Sequence, residues 1–358
     1  VIGNGIQNIS KVNFIGRVFD SYNAAVTIKP TITGMQVSDG GAEQESISSI
    51  KFRAPRTQAA QSRCVVAEDY ENIIRNIYPG VDDIHVYGGE ELDIPQYGRV
   101  FIAIKPSSGE SLSSFTKNYI TKSLQDYRIA SIDVTIVDPE VVYVEAVTAV
   151  YYDNKRTSKD SSAIIADVKA TMNDYASSST LSRFGGAVRY SRIVGAVDGA
   201  DSAITRNNTT LRMRRDLAAS IGTGAAYEMC FDNGFKTDTG APVCYSTGFR
   251  ITVEGSTDDT VYYFEDDTKG NLQRFYLDAA GVKIVVDEKF GTVDYEKGEI
   301  KVGYQSPVTI VNTNVDNNTV EVRAFPSSQD VIAKRSVSVV LDVSKSDIVA
   351  VVDTNSAS

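Results

Sequence analysis

The chain of 358 residues has a single histidine, no tryptophan and three cysteines, and each scarcity removes a class of chemistry. With only His85, a catalytic or zinc centre that draws two histidines from this chain is excluded. Cys64, Cys230 and Cys244 are odd in number and never spaced as Cys-x-x-Cys, so they indicate neither a disulfide framework nor a zinc knuckle. Unpaired thiols in a reducing compartment are expected. There is no run of about 18 apolar residues, hence no membrane span is expected, and no basic segment leads into an apolar one as in a secretory signal. Positive charge is in deficit too. The 36 Lys and Arg face 46 Asp and Glu, and the net charge of −10 argues against a nucleic-acid binder that works by neutralising phosphates. Gly-x-Ser-x-Gly, P-loop and strand-following Gly-x-Gly-x-x-Gly patterns are also missing, so no nucleophile elbow, nucleotide cradle or cofactor is expected. The first residue, Val1, is what a fragment or a processed product would show.

What is present is a globular composition, 42% hydrophobic and 9% aromatic, in a chain long enough for more than one core. Residues 1–52 read as the end of a preceding module, closed by the polar linker Ser38–Ser46, where a hinge is expected. Residues 53–150 and 151–220 read as two small α+β subdomains. Tyr70, Ile73, Ile74 and Ile77 share one helical face, and Pro79-Gly80 stops that helix. Strands follow at Ile84–Tyr87 and Val100–Ile104. Phe115, Tyr119, Ile120, Leu124 and Tyr127 form the apolar side of a second helix, capped by Ser113 or Ser114. Strands at Ile132–Ile136 and Val142–Tyr152, a helix through Ile164–Tyr175 and a short helix over Arg189–Val197 come next. Ser202–Thr205 and Leu211–Met213 read as a hairpin turning at Asn207-Asn208. Residues 221–358 hold many short strand-like runs separated by turn signals, among them separate runs at Val282–Val286 and Thr292–Tyr295. They predict a β-rich domain, sandwich or barrel. The expected class is α+β: small α+β layers in the first two thirds, then a mainly antiparallel β domain.

Three clusters invite a chemical reading. Asp82, Asp83 and His85 bring two carboxylates and an imidazole within four residues, but their apolar neighbours favour a surface strand end over a metal site. Asp258-Asp259 and Glu265-Asp266-Asp267 are oxygen-rich yet lack EF-hand spacing, and solvated turns account for them. No metal site is expected. Arg189, Arg192, Arg206, Arg212, Arg214 and Arg215 form the one basic concentration. Arg212 and Arg214 flank Met213 as on an exposed strand face, which makes these six the candidate contacts for an acidic protein partner.

The most specific signal is a succession of short words. Ala54-Pro55-Arg56-Thr57-Gln58 is followed by Arg63-Cys64-Val65-Val66-Ala67-Glu68-Asp69-Tyr70 and by Tyr78-Pro79-Gly80-Val81. Later come Gly88–Ile104, with Pro95 and Gly98 apart, then Phe184-Gly185-Gly186-Ala187-Val188, Ser191-Arg192-Ile193 and Val197-Asp198-Gly199-Ala200. In order and spacing, over about residues 53–215, this resembles the baseplate J-like family of contractile-tailed phages. With its β-rich tail, the chain is similar to the C-terminal portion of the large wedge proteins of T-even phage baseplates. Ala67 stands where that family often has Thr at a helix cap. The resemblance implies a virion tail-baseplate protein assembled in the host cytoplasm, without catalytic residues. It also implies a protein that pairs with a second copy and with other wedge proteins and links wedges into a ring around a hub. Its structural residues here would be Pro55, Arg63, Asp69, Tyr70, Pro79 and Gly80. Read from the residues alone, Glu68 and Asp69 suit the positive end of a helix dipole, and Arg63 lies within reach of Asp69. These are local folding devices. The alternative reading is a receptor- or glycan-binding tail appendage, drawn from Tyr262-Tyr263-Phe264 and Phe275-Tyr276.

Overall fold

A computed structural model describes residues 63–354 apart from 93, 108–110, 130, 178–180, 182, 238–239, 254–255, 258, 305, 314–317 and 334–336. It also describes residues 18–19, 25–26, 47, 50, 51, 54, 55 and 58. The Ser38–Ser46 linker, with its expected hinge, and Asp258 lie outside the described residues. The chain divides into two units, residues 1–138 and 139–358.

In the first unit, β1 (Val18–Phe19) pairs with β2 (Ala25–Val26). Helix α1 (Ala67–Ile77) precedes a three-stranded sheet of β3 (Val81–Gly88), β4 (Arg99–Pro106) and β5 (Asp133–Val137). β3 and β4 are antiparallel, while β4 and β5 are parallel and therefore need a crossover, which contains α2 (Ser114–Leu124). Tyr70, Ile73, Ile74, Ile84, Ile102, Ile104, Ile120 and Leu124 meet in its core. The N-cap of α1 is Val66, which has no hydroxyl to offer. Asp69 in the first turn compensates: its Oδ2 accepts from the N–H groups of Val65 and Val66, each at 3.1 Å. The departure at Ala67 is thus covered from three residues inside the helix. Pro79 ends it, because the residue before proline is pushed out of the helical region and Tyr78 is extended.

Helix α2 begins as expected, with Ser113 Oγ accepting from the Thr116 N–H at 3.1 Å. Its buried face, however, is Thr116, Ile120 and Leu124, and Phe115 and Tyr119 point outward, 82% and 52% exposed. The apolar stripe read from the sequence is wider than the sheet beneath it. Residues at i, i+4 and i+8 take the sheet, and those one position earlier are left out.

The second unit is built on β6 (Glu140–Tyr152). Its remaining elements are α3 (Ser161–Ala176), β7 (Ala187–Val188), α4 (Tyr190–Asp198), β8 (Ile204–Ala218), β9 (Gly224–Ala225), β10 (Tyr227–Cys230), β11 (Cys244–Ser246), β12 (Phe249–Val253), β13 (Ser256–Thr257) and β14 (Tyr262–Asp266). Then follow β15 (Asn271–Leu277), β16 (Lys283–Asp294), β17 (Glu299–Val302), β18 (Val308–Thr313), β19 (Thr319–Ala324), β20 (Val331–Ile332), β21 (Val337–Leu341) and β22 (Asp347–Val352). One sheet runs β10-β17-β16-β15-β14-β11-β19-β8-β6-β21, and β22 lies beside β6 beyond β21. β21 and β22 are both parallel to β6, and its neighbour on the other side, β8, is antiparallel. The α+β class with a largely β C-terminal part is the observed one. The strands of 221–358 do not stand apart, since β19 joins them to β8. Val142, Val144, Ala146 and Val150 of β6 share a core with Ile164, Val168 and Met172 of α3 and Ile193 and Val197 of α4. Strand alternation sends Tyr143, Glu145, Val147, Ala149 and Tyr151 to the opposite face.

Two strand readings are corrected here. The hairpin at Asn207-Asn208 does not exist: β8 runs unbroken for 15 residues, and those asparagines pair with Val150 and Ala149. Thirteen residues of β6 offer a continuous template, and ladder pairing on it outweighs the turn preference of two asparagines. Likewise the runs read at Val282–Val286 and Thr292–Tyr295 are, but for their outer residues Val282 and Tyr295, parts of one 12-residue strand, β16, whose register against β15 shifts twice. Gly291 sits inside it, where a Cβ would come within 2.3 Å of the Lys301 carbonyl oxygen, so the glycine marks close backbone approach.

Candidate functional site

The Arg-rich stretch lies on β8, and period-two alternation places Arg206, Arg212, Arg214 and Asp216 on the face that carries Glu145 of β6. That face is not exposed at its centre. The Glu145 side chain is 0% exposed and that of Arg214 3%, and the two meet at 2.7 Å through Arg214 Nη1 and Glu145 Oε1. Arg214 Nη1 also reaches Asp342 Oδ2 at 2.9 Å, and its Nε reaches Asp216 Oδ1 at 2.8 Å. Arg212 donates from Nε to Glu145 Oε2 at 2.5 Å, and its Nη1 forms an ion pair with Asp347 Oδ2 at 2.8 Å. Arg323 of β19 donates to the same Glu145 carboxylate from Nε at 3.0 Å and to Glu321 from Nη2 at 2.8 Å. Lys345 closes the network on Glu321. One buried carboxylate therefore holds guanidinium groups from two strands, and the partners of those groups tie in the segment between β21 and β22.

The electrostatics follow from this packing. Burial alone would disfavour the charge on Arg214, but Asp216, Glu145 and Asp342 outweigh it and raise its pKa further. Burial also pushes Asp342 up, yet Ser344 and Arg214 hold it below the usual carboxylate range. Glu321 is lowered in the same way, against its own desolvation, by Lys345 and Arg323. Hydrogen-bonded, mutually compensated charges of this kind fix register more than they add net stability.

The exposed-face reading of Arg212 and Arg214 is thus corrected: both are consumed inside the chain. Sequence reasoning missed Glu145, Arg323 and Asp342. The available signal was Glu145 itself, a lone acid inside the apolar strand Val141–Val150. Arg215 lies on the other face of β8 and pairs with Glu140 at 2.7 Å. Arg189 pairs with Asp330 at 2.8 Å, and Arg206 lies 3.5 Å from Asp353 with its guanidinium 4.0 Å above the Tyr151 ring. Both are about half exposed, and Arg192 is exposed on α4.

Asp69, Tyr70, Pro79 and Gly80 have structural roles in the first unit. Asp69 caps α1. Tyr70 is in the core with its hydroxyl buried, and no described residue partners that hydroxyl. Gly80 is buried, and its carbonyl accepts from the Ser107 N–H at 3.1 Å. Arg63 and Pro79 are exposed, as is Pro55 at a helical position. A cleft of about 350 Å³ opens between the start of α1 and β3–β4, lined by Val65, Val66, Tyr70, Glu90, Arg99 and Ile132 among others.

The remaining clusters resolve as structure. Asp83 pairs with Arg75 at 3.2 Å, and His85 stacks on Tyr87 at 5.4 Å. Among the described residues, no three His, Cys, Asp or Glu side chains gather as a metal site. Asp266 is no solvated turn. It is 1% exposed and accepts from the N–H groups of Val243, Cys244 and Thr268 and from the Tyr295 hydroxyl. Of the aromatics offered as a glycan platform, Tyr262, Phe264 and Phe275 are buried, and Tyr263 and Tyr276 are half-buried.

With that geometry in place, the class comes from two family matches. Residues 66–137 match the model described as baseplate structural protein gp6, C-terminal domain I, and residues 140–216 match C-terminal domain III of the same protein. The first holds the α1–β5 core, and the second runs from the start of β6 nearly to the end of β8. These segments resemble gp6 baseplate structural domains. Among particular proteins, baseplate wedge protein gp6 of Enterobacteria phage T4 is 24% identical over 181 residues, which cover 50% of this chain and 27% of that protein. The chain therefore spans about a quarter of the length of that relative. A chain in a cryo-EM structure of the anti-feeding prophage baseplate is 17% identical at a TM-score of 0.35, over 49% of this chain and 39% of that one. The two matched segments and the T4 relative thus give the chain a likeness to structural proteins of the phage baseplate.

Proposed function

We infer that the chain is part of a non-enzymatic wedge subunit of a contractile-tail baseplate. In this reading it pairs with a second copy and with other wedge proteins, and it links neighbouring wedges into a ring around the hub. The observation that carries it is the tandem order of the two gp6-like segments, separated only by residues 138 and 139, where the two units also divide. The finer kinship with the baseplate J-like family rests on the ordered words of residues 53–215. A subunit that must keep its shape while its neighbours move is served by the buried network around Glu145, which fixes β6, β8 and β19 in one register. Of the six arginines, the exposed Arg189, Arg192 and Arg206 are the ones we assign to contact with an acidic partner. Light scattering at concentrations well above micromolar tests the pairing. A particle of two chains is expected, and the mass of one chain would overturn self-association by this fragment.

A further inference from the structure

We propose that the outer edge of β22 is a self-pairing surface, on which a second copy adds its own β22 antiparallel across a two-fold axis. The inference rests on the self-association above and names the surface responsible. Strand β22 has β6 as its one strand neighbour among the described residues. By contrast, β21 beside it is covered, since Phe184 bridges Ser338 and the Gly185 N–H donates to the Val337 carbonyl. A strand with one neighbour leaves alternate N–H and C=O groups facing outward, and natural edges are commonly defended by lysine, proline or a bulge. Asp347–Val352 has none of these: its sequence is Asp-Ile-Val-Ala-Val-Val, and its register against β6 is unbroken over all six residues.

The side chains say what covers it. Ile348 and Ala350 pack toward the helical core, while Val349, Val351 and Val352 are exposed, 57%, 43% and 37%. Val349 and Val351 continue a strip of half-buried Val147, Ala149 and Tyr151 on the same face of β6. A two-fold axis at Ala350 sets Ile348 against Val352 of the other copy and Val349 against Val351, so both faces pair aliphatic with aliphatic. The same register brings Asp347 opposite the other copy's Asp353. These acids are already matched within the chain, Asp347 by Arg212 at 2.8 Å and Asp353 by Arg206 at 3.5 Å, which removes the like-charge objection. An edge that is complementary to itself in composition, register and charge fits a second copy of this chain.

Two variants test this by light scattering and non-reducing electrophoresis. The double substitution Val349→Lys, Val351→Lys places lysines opposite lysines on exposed positions and is expected to leave a particle of one chain with an unchanged circular dichroism spectrum. Ala350→Cys puts two thiols at the axis, where facing strand residues are close enough to bridge. In a Cys230→Ser background, where the remaining native thiols Cys64 and Cys244 are buried, it is expected to give an oxidised dimer that the same protein without Ala350→Cys does not form. A wild-type dimer that survives the lysines overturns the β22 surface and leaves self-association standing, whereas a monomeric wild type overturns both. If the lysine variant fails to fold, the cysteine variant decides: absence of the cross-link overturns the register.

Discussion

Replacing Glu145 by glutamine keeps the size of the side chain and one acceptor oxygen, but removes the charge on which Arg212, Arg214 and Arg323 converge. Removing one partner of a buried pair typically costs about 3–5 kcal/mol, because the other charge is left uncompensated. Here each guanidinium keeps a second acid: Asp347 for Arg212, Asp216 and Asp342 for Arg214, Glu321 for Arg323. The lower end, about 3 kcal/mol, is therefore expected. In a unit of 220 residues, 139–358, that corresponds to a Tm lower by about 6–12 °C. The control is Asp347→Asn. It touches the same network at a carboxylate whose side chain is 61% exposed, where screening should hold the cost below about 1 kcal/mol. Urea unfolding of the three proteins, followed by far-ultraviolet circular dichroism, measures both. If Glu145→Gln is no more destabilising than Asp347→Asn, the network is not the structural node argued here.

Asp266→Asn should cost about 2–3 kcal/mol in the same assay, since an amide placed among three N–H donors and a hydroxyl presents a donor where acceptors are required. Gly298→Ala should cost about 2–3 kcal/mol: φ is +70° there, and a Cβ would lie 2.0 Å from the Asn233 carbonyl oxygen, so a stability within 0.5 kcal/mol of wild type, about the noise of exposed substitutions, would refute the close approach. Burial, and then the charge of Asp69, push the Cys64 thiol up to about 12, whereas an unfolded cysteine titrates near 8.5. The folded state holds that proton longer, so the contribution is complete below about pH 8.5 and falls as pH rises toward 12. Urea midpoints measured from pH 8 to 10 should drop more steeply for wild type than for Cys64→Ala; parallel curves would contradict this.

The sequence carried the periodicities. The β-branched and aromatic content of Val142–Tyr152, the i, i+3, i+4, i+7 face of Tyr70–Ile77 and the Ser113 cap are local, and local rules suffice to place β6, α1 and α2 within a few residues. It also carried the ordered words over about residues 53–215, a span that overlaps the two segments matched to gp6 domains. It did not carry the partners of long strands, because pairing is decided by residues far apart in the chain. Asn207-Asn208 reads as a turn until β6 is laid beside it, and Arg212 and Arg214 read as a solvated edge until β19 and the β21–β22 segment close over them. The same holds for α2, whose sequence shows a broad apolar stripe without the sheet that selects half of it.

The scarcity of histidine, tryptophan and paired cysteine, the acidic balance and the strand and helix periods were thus set by the amino-acid order alone. Only the tertiary structure decided that Glu145, Arg323 and Asp342, remote in sequence, meet in one buried network and that β22 is left at an edge among the described residues. The physical reason is that burial creates both: a charge becomes costly enough to demand partners, and an apolar strand conspicuous enough to need one, only after the rest of the sheet has formed around them.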